Sequence, residues 1–230
     1  YSSNKKGISS CQLARTIKVT QDTAWYMISK FRILSSQREN ISLEGTVELD
    51  EAYIGGEEKW KHDDKKTENT QGRSLKTKTP IFGMAERGGS VIVKHVKDTR
   101  SNTLTPIIQK FIKEGSRVFT DEYRAYMSLG DLQYLHGVVF HKNKKYVEGE
   151  ISTNCVEGFW SHFKRMIKGV YHYCSVVRLQ SYVDEEVFRW NTRKQKDCER
   201  IGSIFAKANM LVITHEQIAE MGVIEDGEPT

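Results

Sequence analysis

The sequence lacks the features that cross-linked, zinc-stapled and membrane proteins depend on. Its four cysteines (Cys11, Cys155, Cys174 and Cys198) are widely scattered and none belongs to a CxxC pair, which argues against a disulfide framework and a zinc site. No apolar run approaches the roughly 18 residues that a membrane helix needs, and no signal peptide opens the chain. Internal repeats and low-complexity tracts are also missing. These absences indicate a protein of the reducing cytoplasm.

The positive charge is concentrated at one end of the chain. The 230 residues are enough for one large domain plus a small one, and the formal net charge is +5. Residues 1–40 hold seven Lys or Arg against two acids, which accounts for the whole excess. A basic segment attracts phosphate backbones through counterion release, although charge alone does not separate nucleic acid from other polyanions.

The basic segment shows two helical patterns separated by a short turn. A capping serine opens "SSCQLARTI", and Thr20 caps "QDTAWYMISKFRIL". The residues at three- and four-residue spacing that are predicted to pack inward are Ala24, Trp25, Ile28 and Phe31, and those predicted to face outward are Gln21, Asp22, Tyr26 and Lys30. This pattern is typical of a helix-turn-helix. Two core helices of any small bundle would give the same periodicity, but the polar start of the second helix favours DNA binding.

Strand patterns follow a polar connector at 35–46. The sequence predicts strands over 46–56, 79–89 and 90–98, with a hairpin turn at Gly88 and Gly89. Residues 57–79 are charged and poor in apolar side chains, so we interpret them as an insertion outside the core. Simple solvation is the usual explanation for such a run.

A crossover pattern completes the predicted sheet. Residues 101–115 predict an amphipathic helix that starts at Thr103 or Thr105, has Pro106 in its first turn and stops at Gly115. This helix leads into a strand ending at Asp121. A strand, helix, strand passage predicts a right-handed crossover, and therefore that the strands before and after the helix are parallel neighbours. With a fifth strand at 137–142, the fold class is α/β, a mixed five-stranded sheet flanked by helices.

Two strands end on aspartate in the same way. Asp50 closes "TVELD" and Asp121 closes "SRVFTD". A single aspartate at the end of a strand is usually a turn or cap residue. Two aspartates at matching positions on neighbouring strands are harder to explain as turn or cap residues. On adjacent strands, about 4.8 Å apart, the two carboxylates would repel each other unless a hard divalent cation lay between them.

A helix in "STNCVEGFWSHFKRMIKGVY" offers a third acid. The residues predicted to form its buried face are Val156, Phe159, Trp160, Phe163, Ile167 and Val170. Glu157, Ser161, Lys164 and Lys168 fall on another face. Spacing alone favours an ordinary solvated stripe with an ion pair.

Asp50, Asp121 and Glu157, with 35 residues between the last two and Lys164 seven beyond, resemble the DDE signature of insertion-sequence transposases. The words that carry the resemblance are "LDEAYIGG", "GRSLKTKTPIFGMAERGG", "VFTDEYRAY", "TNCVEGFWSHFKRMIKGVYHYCS" and "FRWNTRK". They are similar to the bacterial group that is related to the eukaryotic Merlin elements. The match runs in family order from about residue 5 to residue 194.

This resemblance implies a domain plan and a site. A helix-turn-helix over 1–40 would precede a ribonuclease-H-like catalytic domain over 41–200, interrupted by the insertion at 57–79 and followed by a tail over 201–230. Two Mg²⁺ or Mn²⁺ ions are implied, with Asp50 bridging both and with Asp121 and Glu157 each holding one. Relatives usually carry a zinc ribbon before the helix-turn-helix, and the initial Tyr1 leads us to expect that it lies upstream.

Further roles are implied by the resemblance in the same way. Lys164 and Arg165 would grip phosphates, with Lys168 a weaker candidate, although ordinary surface charge explains them equally well. Some relatives replace the third acid by asparagine, so Asn154 is the fallback ligand. Relatives often have histidine where Ser152 stands, which puts that histidine's role in doubt here.

The implied activity is metal-dependent cleavage at the ends of a mobile element, followed by strand transfer into target DNA. The implied partners are double-stranded DNA, as terminal inverted repeats and target, and further copies of the chain in a homodimer or higher oligomer. A bacterial, nucleoid-associated location follows. Two alternatives stay open: a domesticated, catalytically silent DNA-binding protein, and a ribonuclease-H-like nuclease or resolvase that cuts without joining.

Overall fold

The structure is a computed structural model. It describes residues 4, 6–36, 41–55, 62–68, 74–139, 151–208, 213, 214, 216 and 218. The chain divides into two compact units, the first drawn from Tyr1–Ile41 and Gly158–Glu228 and the second mainly from Ser42–Glu157. The expected domain boundaries of 1–40, 41–200 and 201–230 stay predictions.

The second unit is built on one mixed sheet. Its strands are β1 (Thr46–Gly55), β2 (Lys78–Glu86), β3 (Val91–His95), β4 (Arg117–Asp121) and β5 (Leu135–Val139), in the order β3-β2-β1-β4-β5. β2 is antiparallel to β1 and β3, whereas β4 is parallel to β1 and β5. This order with one reversed strand is that of the ribonuclease-H-like fold. The predicted fold class, a mixed five-stranded sheet flanked by helices with a helical N-terminal part, is confirmed.

One predicted neighbour relation is wrong. Helix α3 (Ser101–Phe111) connects β3 to β4, but these two strands do not pair. β3 lies at an edge beside β2, and β4 joins the opposite side of β1. The reason is that the β2–β3 hairpin already occupies one side of β1, so the crossover must reach the other side. The crossover pattern predicted strand direction correctly but not adjacency.

The ends of several elements differ from the predicted ones. The hairpin turn is confirmed, with Gly88 at φ +75° and Glu86 N–H donating to the Ser90 carbonyl at 2.9 Å. Helix α3 ends at Phe111 rather than Gly115, because Ile112 is extended and forms a bridge with Leu43.

The start of α3 also differs, because it is fixed by a residue before the helix. Asp98 Oδ1 accepts hydrogen bonds from Arg100 N–H at 3.0 Å and from the Thr103 hydroxyl at 2.7 Å. Pro106 therefore lies in the second turn of the helix rather than the first. Residues 140–142 of the predicted fifth strand lie outside the described residues, as do 57–61 and 69–73 of the predicted insertion.

The first unit is helical. Its helices are α1 (Ser10–Ile17), α2 (Gln21–Ser36), α5 (Leu179–Asn191) and α6 (Asp197–Ala208), and it includes the later part of α4 (Asn154–Met166) with a π-helical turn at Ile167–Tyr171. The predicted caps are confirmed: Ser9 accepts from Gln12 N–H at 3.2 Å, and Thr20 accepts from Thr23 N–H at 3.3 Å.

The predicted buried faces of α2 and α4 are largely confirmed. In α4 and the π-helical turn after it, Val156, Phe159, Trp160, Phe163 and Ile167 are buried as predicted, whereas Val170 is only half-buried. In α2, Ala24 and Ile28 are buried, but Trp25 was expected inside and is 37% exposed. The Arg178 guanidinium lies 4.8 Å from the centre of the Trp25 indole ring, which gives this ring a cationic partner at the surface.

A buried charge cluster joins α2 to α5 within the first unit. Glu185, which is fully buried, accepts from Arg32 Nε at 2.8 Å, from Arg189 Nη2 at 2.7 Å and from the Tyr171 hydroxyl at 2.7 Å. Burial alone would raise the pKa of Glu185, but the charges of Arg32 and Arg189 hold it below its ordinary value. The Arg32 guanidinium also lies 3.9 Å from the centre of the Tyr182 ring. Two helices of the unit therefore share one carboxylate.

The neighbouring acid on α5 leads to a pH prediction. Burial raises the pKa of Glu186 to about 8, and among the described residues its Oε2 atom has no hydrogen-bond partner. The pKa of Glu186 is higher in the folded chain than in the unfolded chain, so protonation of Glu186 favours the folded state. This contribution to stability is complete below about pH 4.5 and is lost as the pH rises to about 8. Across that window we expect the unfolding free energy to fall by up to about 1.4 kcal/mol per pH unit relative to Glu186→Gln.

Urea unfolding of both proteins at about pH 5, 6.5 and 8 measures this difference. The glutamine variant has the same shape without a titrating group, so it is the matched control. Parallel pH profiles for the two proteins would contradict the prediction.

The helices in the described part of the chain can be compared with the length and hydropathy that a membrane-spanning helix requires. No helix there is both long enough and apolar enough to cross a bilayer.

Candidate active site on β1 and β4

Asp50 and Asp121 lie at matching positions on adjacent parallel strands. The β1–β4 ladder aligns Val47 with Val118 and Glu48 with Phe119, and each aspartate follows two residues beyond this last pair. Neighbouring strands are about 4.8 Å apart, and residues two apart point to the same face. The two aspartates therefore lie side by side on adjacent strands, just beyond the last β1–β4 pair. Asp121 is the last residue of β4, but the prediction that both strands end on aspartate is wrong for Asp50, because β1 continues past it to Gly55 by pairing with β2. Both aspartates are half-buried.

A buried tyrosine, Tyr126, lies within the electrostatic influence of the acidic residues of this site. Tyr126, only 1% exposed, donates its hydroxyl hydrogen bond to Glu51 Oε1. Burial raises the pKa of Tyr126 well above its ordinary value, and the negative charges of Glu51, Asp50 and Asp121 raise it further. The tyrosine therefore stays protonated and donates its hydroxyl hydrogen to Glu51 as a hydrogen bond. Two aspartates and one glutamate thus act on the same buried group.

Hydroxyl groups hold the loop that follows Asp121. Asp121 Oδ1 accepts from the backbone N–H of Tyr123 at 3.0 Å, which turns the chain directly after the strand. The Tyr123 hydroxyl is 3.2 Å from Thr99 Oγ1, and that oxygen is 3.1 Å from the Tyr53 hydroxyl on β1. This chain of hydroxyls ties the loop after β4 to β1, and so fixes the Asp121 backbone relative to the strand that carries Asp50.

Glu157 lies in the first turn of α4 and is exposed. Its Oε1 accepts from the hydroxyl of Thr153, the residue before the helix, at 2.8 Å. Its backbone N–H donates to the Thr153 carbonyl at 3.0 Å. Asn154, the fallback ligand, is the first residue of α4 and is also exposed.

The donor set fits a divalent metal ion in part. Adjacent carboxylates are the oxygen ligands that Mg²⁺ and Mn²⁺ prefer, so Asp50 and Asp121 fit such an ion. Across the described ranges, however, no three His, Cys, Asp or Glu side chains are grouped so as to hold a metal ion together. The structure therefore brings the two aspartates together and does not assemble them with Glu157 into a finished three-ligand set.

The predicted DNA-contacting residues all belong to the first unit. Lys164, Arg165 and Lys168 are exposed, two to three turns beyond Glu157 along the same helical stretch. Gln21 and Asp22 are exposed at the start of α2. These positions leave the side chains accessible to a polyanion.

Lys30 is less free than its predicted outward position suggested. It is half-buried, and its Nζ lies 4.6 Å from the centre of the Tyr26 ring. A cation held over an aromatic ring in this way is shared between that ring and any phosphate that approaches it.

Sequence reasoning missed two groups of this site, Glu51 and Tyr126. Both lie inside the sequence segments "LDEAYIGG" and "VFTDEYRAY", which also carry the resemblance to the transposases. The sequence pattern favours a strand that ends at Asp50, so Glu51 looks like an ordinary turn residue, whereas β1 continues to Gly55 and Glu51 is buried within it. The repeated Asp-Glu followed by an aromatic residue was the available signal.

The chain belongs to the ISXO2-like transposase domain family, whose family model matches residues 42–191. The match contains Asp50, Asp121 and Glu157 together with the whole sheet.

Two curated relatives agree with this family. A protein in transposable element ISH50 of Halobacterium salinarum is 30% identical over 165 residues, which is 68% of this chain and 55% of the relative. A transposase-like protein of Haemophilus influenzae is 33% identical over 73 residues, which is 32% of this chain and 58% of the relative. The chain spans little more than half the length of these relatives.

Solved structures of transposition complexes show weaker similarity. The Mos1 strand transfer complex has a TM-score of 0.39 at 12% identity, with 96% of this chain and 75% of that chain covered. A pre-cleavage Mos1 transpososome has a TM-score of 0.37 at 13% identity, covering 96% and 76%. The fold assignment here rests on the sheet order and strand directions.

Proposed function

We propose that this chain is the catalytic part of a DDE transposase, which cleaves DNA at the ends of a mobile element and joins those ends to target DNA. The family supports a transposase role. The observation that supports the catalytic assignment is the register of β1 and β4, which puts Asp50 and Asp121 at matching positions on adjacent parallel strands, two residues beyond their last pair. Glu157 is proposed as the third acid, with Asn154 as the fallback.

The proposed chemistry is phosphoryl transfer with two Mg²⁺ or Mn²⁺ ions. Bound there, the ions would activate a water or 3′-hydroxyl nucleophile and stabilise the leaving oxygen. Asp50 and Asp121 would supply the fixed negative charge that holds the ions, since they lie at matching positions on the adjacent strands β1 and β4. Glu157, exposed on the first turn of α4 and hydrogen-bonded by Thr153, supplies a carboxylate that substrate and ion can reach.

The residues around the aspartates have supporting roles in this proposal. Tyr126 donates a hydrogen bond to Glu51, so that carboxylate is engaged and the protonated hydroxyl is not available as a nucleophile. The Tyr53, Thr99 and Tyr123 hydroxyls keep Asp121 in place without adding charge. No covalent protein intermediate is needed, because the DNA hydroxyl itself attacks the phosphate.

The deciding experiment measures cleavage and joining on cognate element ends with Mg²⁺, Mn²⁺ or chelator. Transposase activity predicts hydrolysis at the ends and strand-transfer products from pre-cleaved ends, both lost with chelator. Cutting without joining would support the nuclease or resolvase alternative. Binding without either reaction, from a protein that includes any upstream segment of the natural gene product, would support the silent DNA-binding alternative.

The exposed bases of α4 give a prediction about DNA affinity. Lys164→Ala and Arg165→Ala should each weaken binding almost equally for all DNA sequences, because phosphate contacts carry no base information. Each should also reduce the slope of log affinity against log salt concentration by about 1. Titrations at several salt concentrations measure this. Lys110→Ala, at an exposed lysine on α3, is the control and should leave the slope unchanged.

Base recognition is proposed for the start of α2. Gln21 and Asp22 are exposed in its first turn, the part of a recognition helix that reaches base edges, and Lys30 further along is proposed as a phosphate contact. Terminal inverted repeats and target DNA are the proposed partners. Pairing of two ends by a homodimer or higher oligomer is part of the same proposal, and sizing of the DNA complex in solution tests it.

A further inference from the structure

One buried acid of the second unit lies outside the roles given so far. Glu48 is on β1 and is only 1% exposed. Its Oε2 accepts from the backbone N–H of Cys155 at 2.7 Å and of Val156 at 3.2 Å, both in the first turn of α4. Its Oε1 accepts from Arg87 Nε at 2.7 Å. Both carboxylate oxygens are therefore occupied, one by a helix start and one by a cation.

Arg87 extends this contact to the residue ahead of the helix. Its Nη2 donates to the Ser152 hydroxyl at 2.6 Å and to the Ser152 carbonyl at 3.1 Å. Its guanidinium also lies 4.9 Å from the centre of the Phe119 ring on β4. Ser152, at 8% exposure, is itself buried. We call Glu48, Arg87 and Ser152 the α4 clamp.

The α4 clamp is chemically suited to hold a helix start. The first N–H groups of a helix have no partner within the helix and carry the positive end of its dipole, so a carboxylate there is stabilised. Hydrogen bonds to a charged acceptor are roughly twice as strong as neutral ones. The Arg87 cation compensates the burial of the Glu48 charge, which would otherwise be costly.

The geometry relates the clamp to the proposed site. Glu48 and Asp50 are two residues apart on β1, so their side chains leave the same face of the sheet. Glu157 follows Cys155 by two residues in the first turn of α4. Fixing that turn on Glu48 therefore brings Glu157 to the face of β1 that bears Asp50.

We infer that Glu48 is a positioning residue, which acts through α4 to hold Glu157 over the strand that carries Asp50. The inference rests on the proposed function for its catalytic consequence, but the clamp itself does not depend on it. Glu48 would touch neither DNA nor metal. Its contribution is to keep the third acid within reach of the other two while α4 carries Lys164 and Arg165 on the next turns.

The test uses Glu48→Gln in the full chain. Glutamine keeps the size of the side chain, but one of its two terminal groups is an NH₂ donor, which must face either the Arg87 donor or the helix N–H groups. Outer residues that orient a ligand typically cost about 10- to 100-fold in activity or metal affinity when changed. We expect kcat for joining pre-cleaved ends to fall by about that factor, while KM for DNA stays within about twofold.

A second measurement is independent of catalysis. Hydrogen exchange at the amides of Cys155 and Val156 should become at least about tenfold faster in Glu48→Gln, while amides of the β2–β3 hairpin exchange as before. Glu44→Gln removes an acid from the same unit at an exposed position and is the matched control for both measurements. Ser152→Ala removes one hydrogen-bond acceptor of Arg87 and should change kcat and the amide exchange rates in the same direction, but by less. This variant replaces Glu48→Gln in the test if Glu48→Gln does not fold.

Each outcome is decisive. Unchanged exchange at Cys155 and Val156 overturns the clamp, and faster exchange with unchanged kcat overturns its role in positioning Glu157. If wild type and Glu44→Gln neither cleave nor join, the proposed function fails while the exchange result still decides whether Glu48 holds the helix. A drop in kcat together with faster exchange, and with wild-type DNA KM, supports the inference.

Discussion

Asp121→Asn is expected to reduce both cleavage and joining at least about a thousandfold, because, under the proposed two-metal mechanism, loss of one ion-holding carboxylate removes several kcal/mol of transition-state stabilisation. The change is small in structure, since the remaining Oδ1 can still accept the Tyr123 N–H that Asp121 accepts at 3.0 Å. Asp50→Asn should have an effect of the same size, as its position on β1 matches that of Asp121 on β4. Single-turnover assays on cognate ends measure both.

The control for this prediction is the next residue. Glu122→Gln removes one negative charge from an exposed side chain directly after β4 and should keep near-wild-type rates. Glu157→Gln, which can still accept the Thr153 hydroxyl, tests the third acid, and Asn154→Ala tests the fallback. Wild-type activity in Asp121→Asn and Glu157→Gln would remove the catalytic assignment. Loss in Asn154→Ala with retention in Glu157→Gln would move the third role to Asn154.

Glu185→Ala is expected to destabilise the first unit by about 3–5 kcal/mol, since removing one partner of a buried ion pair leaves uncompensated charge inside. Arg32 and Arg189 are 5% and 6% exposed, and both would lose the carboxylate they share. The Tyr171 hydroxyl would lose its acceptor as well. The effect is large because one carboxylate serves three donors.

Denaturant unfolding followed by tryptophan fluorescence measures this loss, because Trp25, Trp160 and Trp190 all belong to the first unit. Asp184→Ala removes the adjacent acid of α5, which is only partly buried and accepts from Gln180 Nε2 at 2.9 Å, and should cost less than about 1 kcal/mol. Equal losses in the two variants would show that the buried cluster does not hold α2 to α5.

Strand and helix assignment from the sequence succeeded where the signal was local. Caps at Ser9 and Thr20, the Gly88 turn and the apolar stripe of α4 depend on neighbouring residues, and all are confirmed. Periodicity was wrong for Trp25, because an indole ring at the edge of an apolar stripe can be covered by packing or stacked under a surface cation. In this structure Arg178, which is distant in sequence, stacks on the Trp25 ring at the surface.

The position of β4 beside β1 and the burial of Glu48 could not be predicted from local sequence patterns. A crossover helix predicts that two strands are parallel, but the position of β4 beside β1 depends on which side of β1 the β2–β3 hairpin takes. Glu48 alternates with Val47 and Leu49 along β1, a pattern typical of one buried and one solvent-facing side. It is nevertheless buried, because α4 covers its side of the strand.

The sequence by itself determined that two strands each carry an aspartate, that a helix follows with an acid in its first turn and bases beyond, and that these acids resemble a DDE set. Such features depend on short-range periodicity and on the identity of residues in continuous words. Only the tertiary structure decided that β1 and β4 are neighbours in register, that Tyr126 and Glu51 lie beside the aspartates, and that Glu48 holds the start of α4. Those contacts join residues up to 108 positions apart, as between Glu48 and Val156, and such distances are closed by packing rather than by local preference.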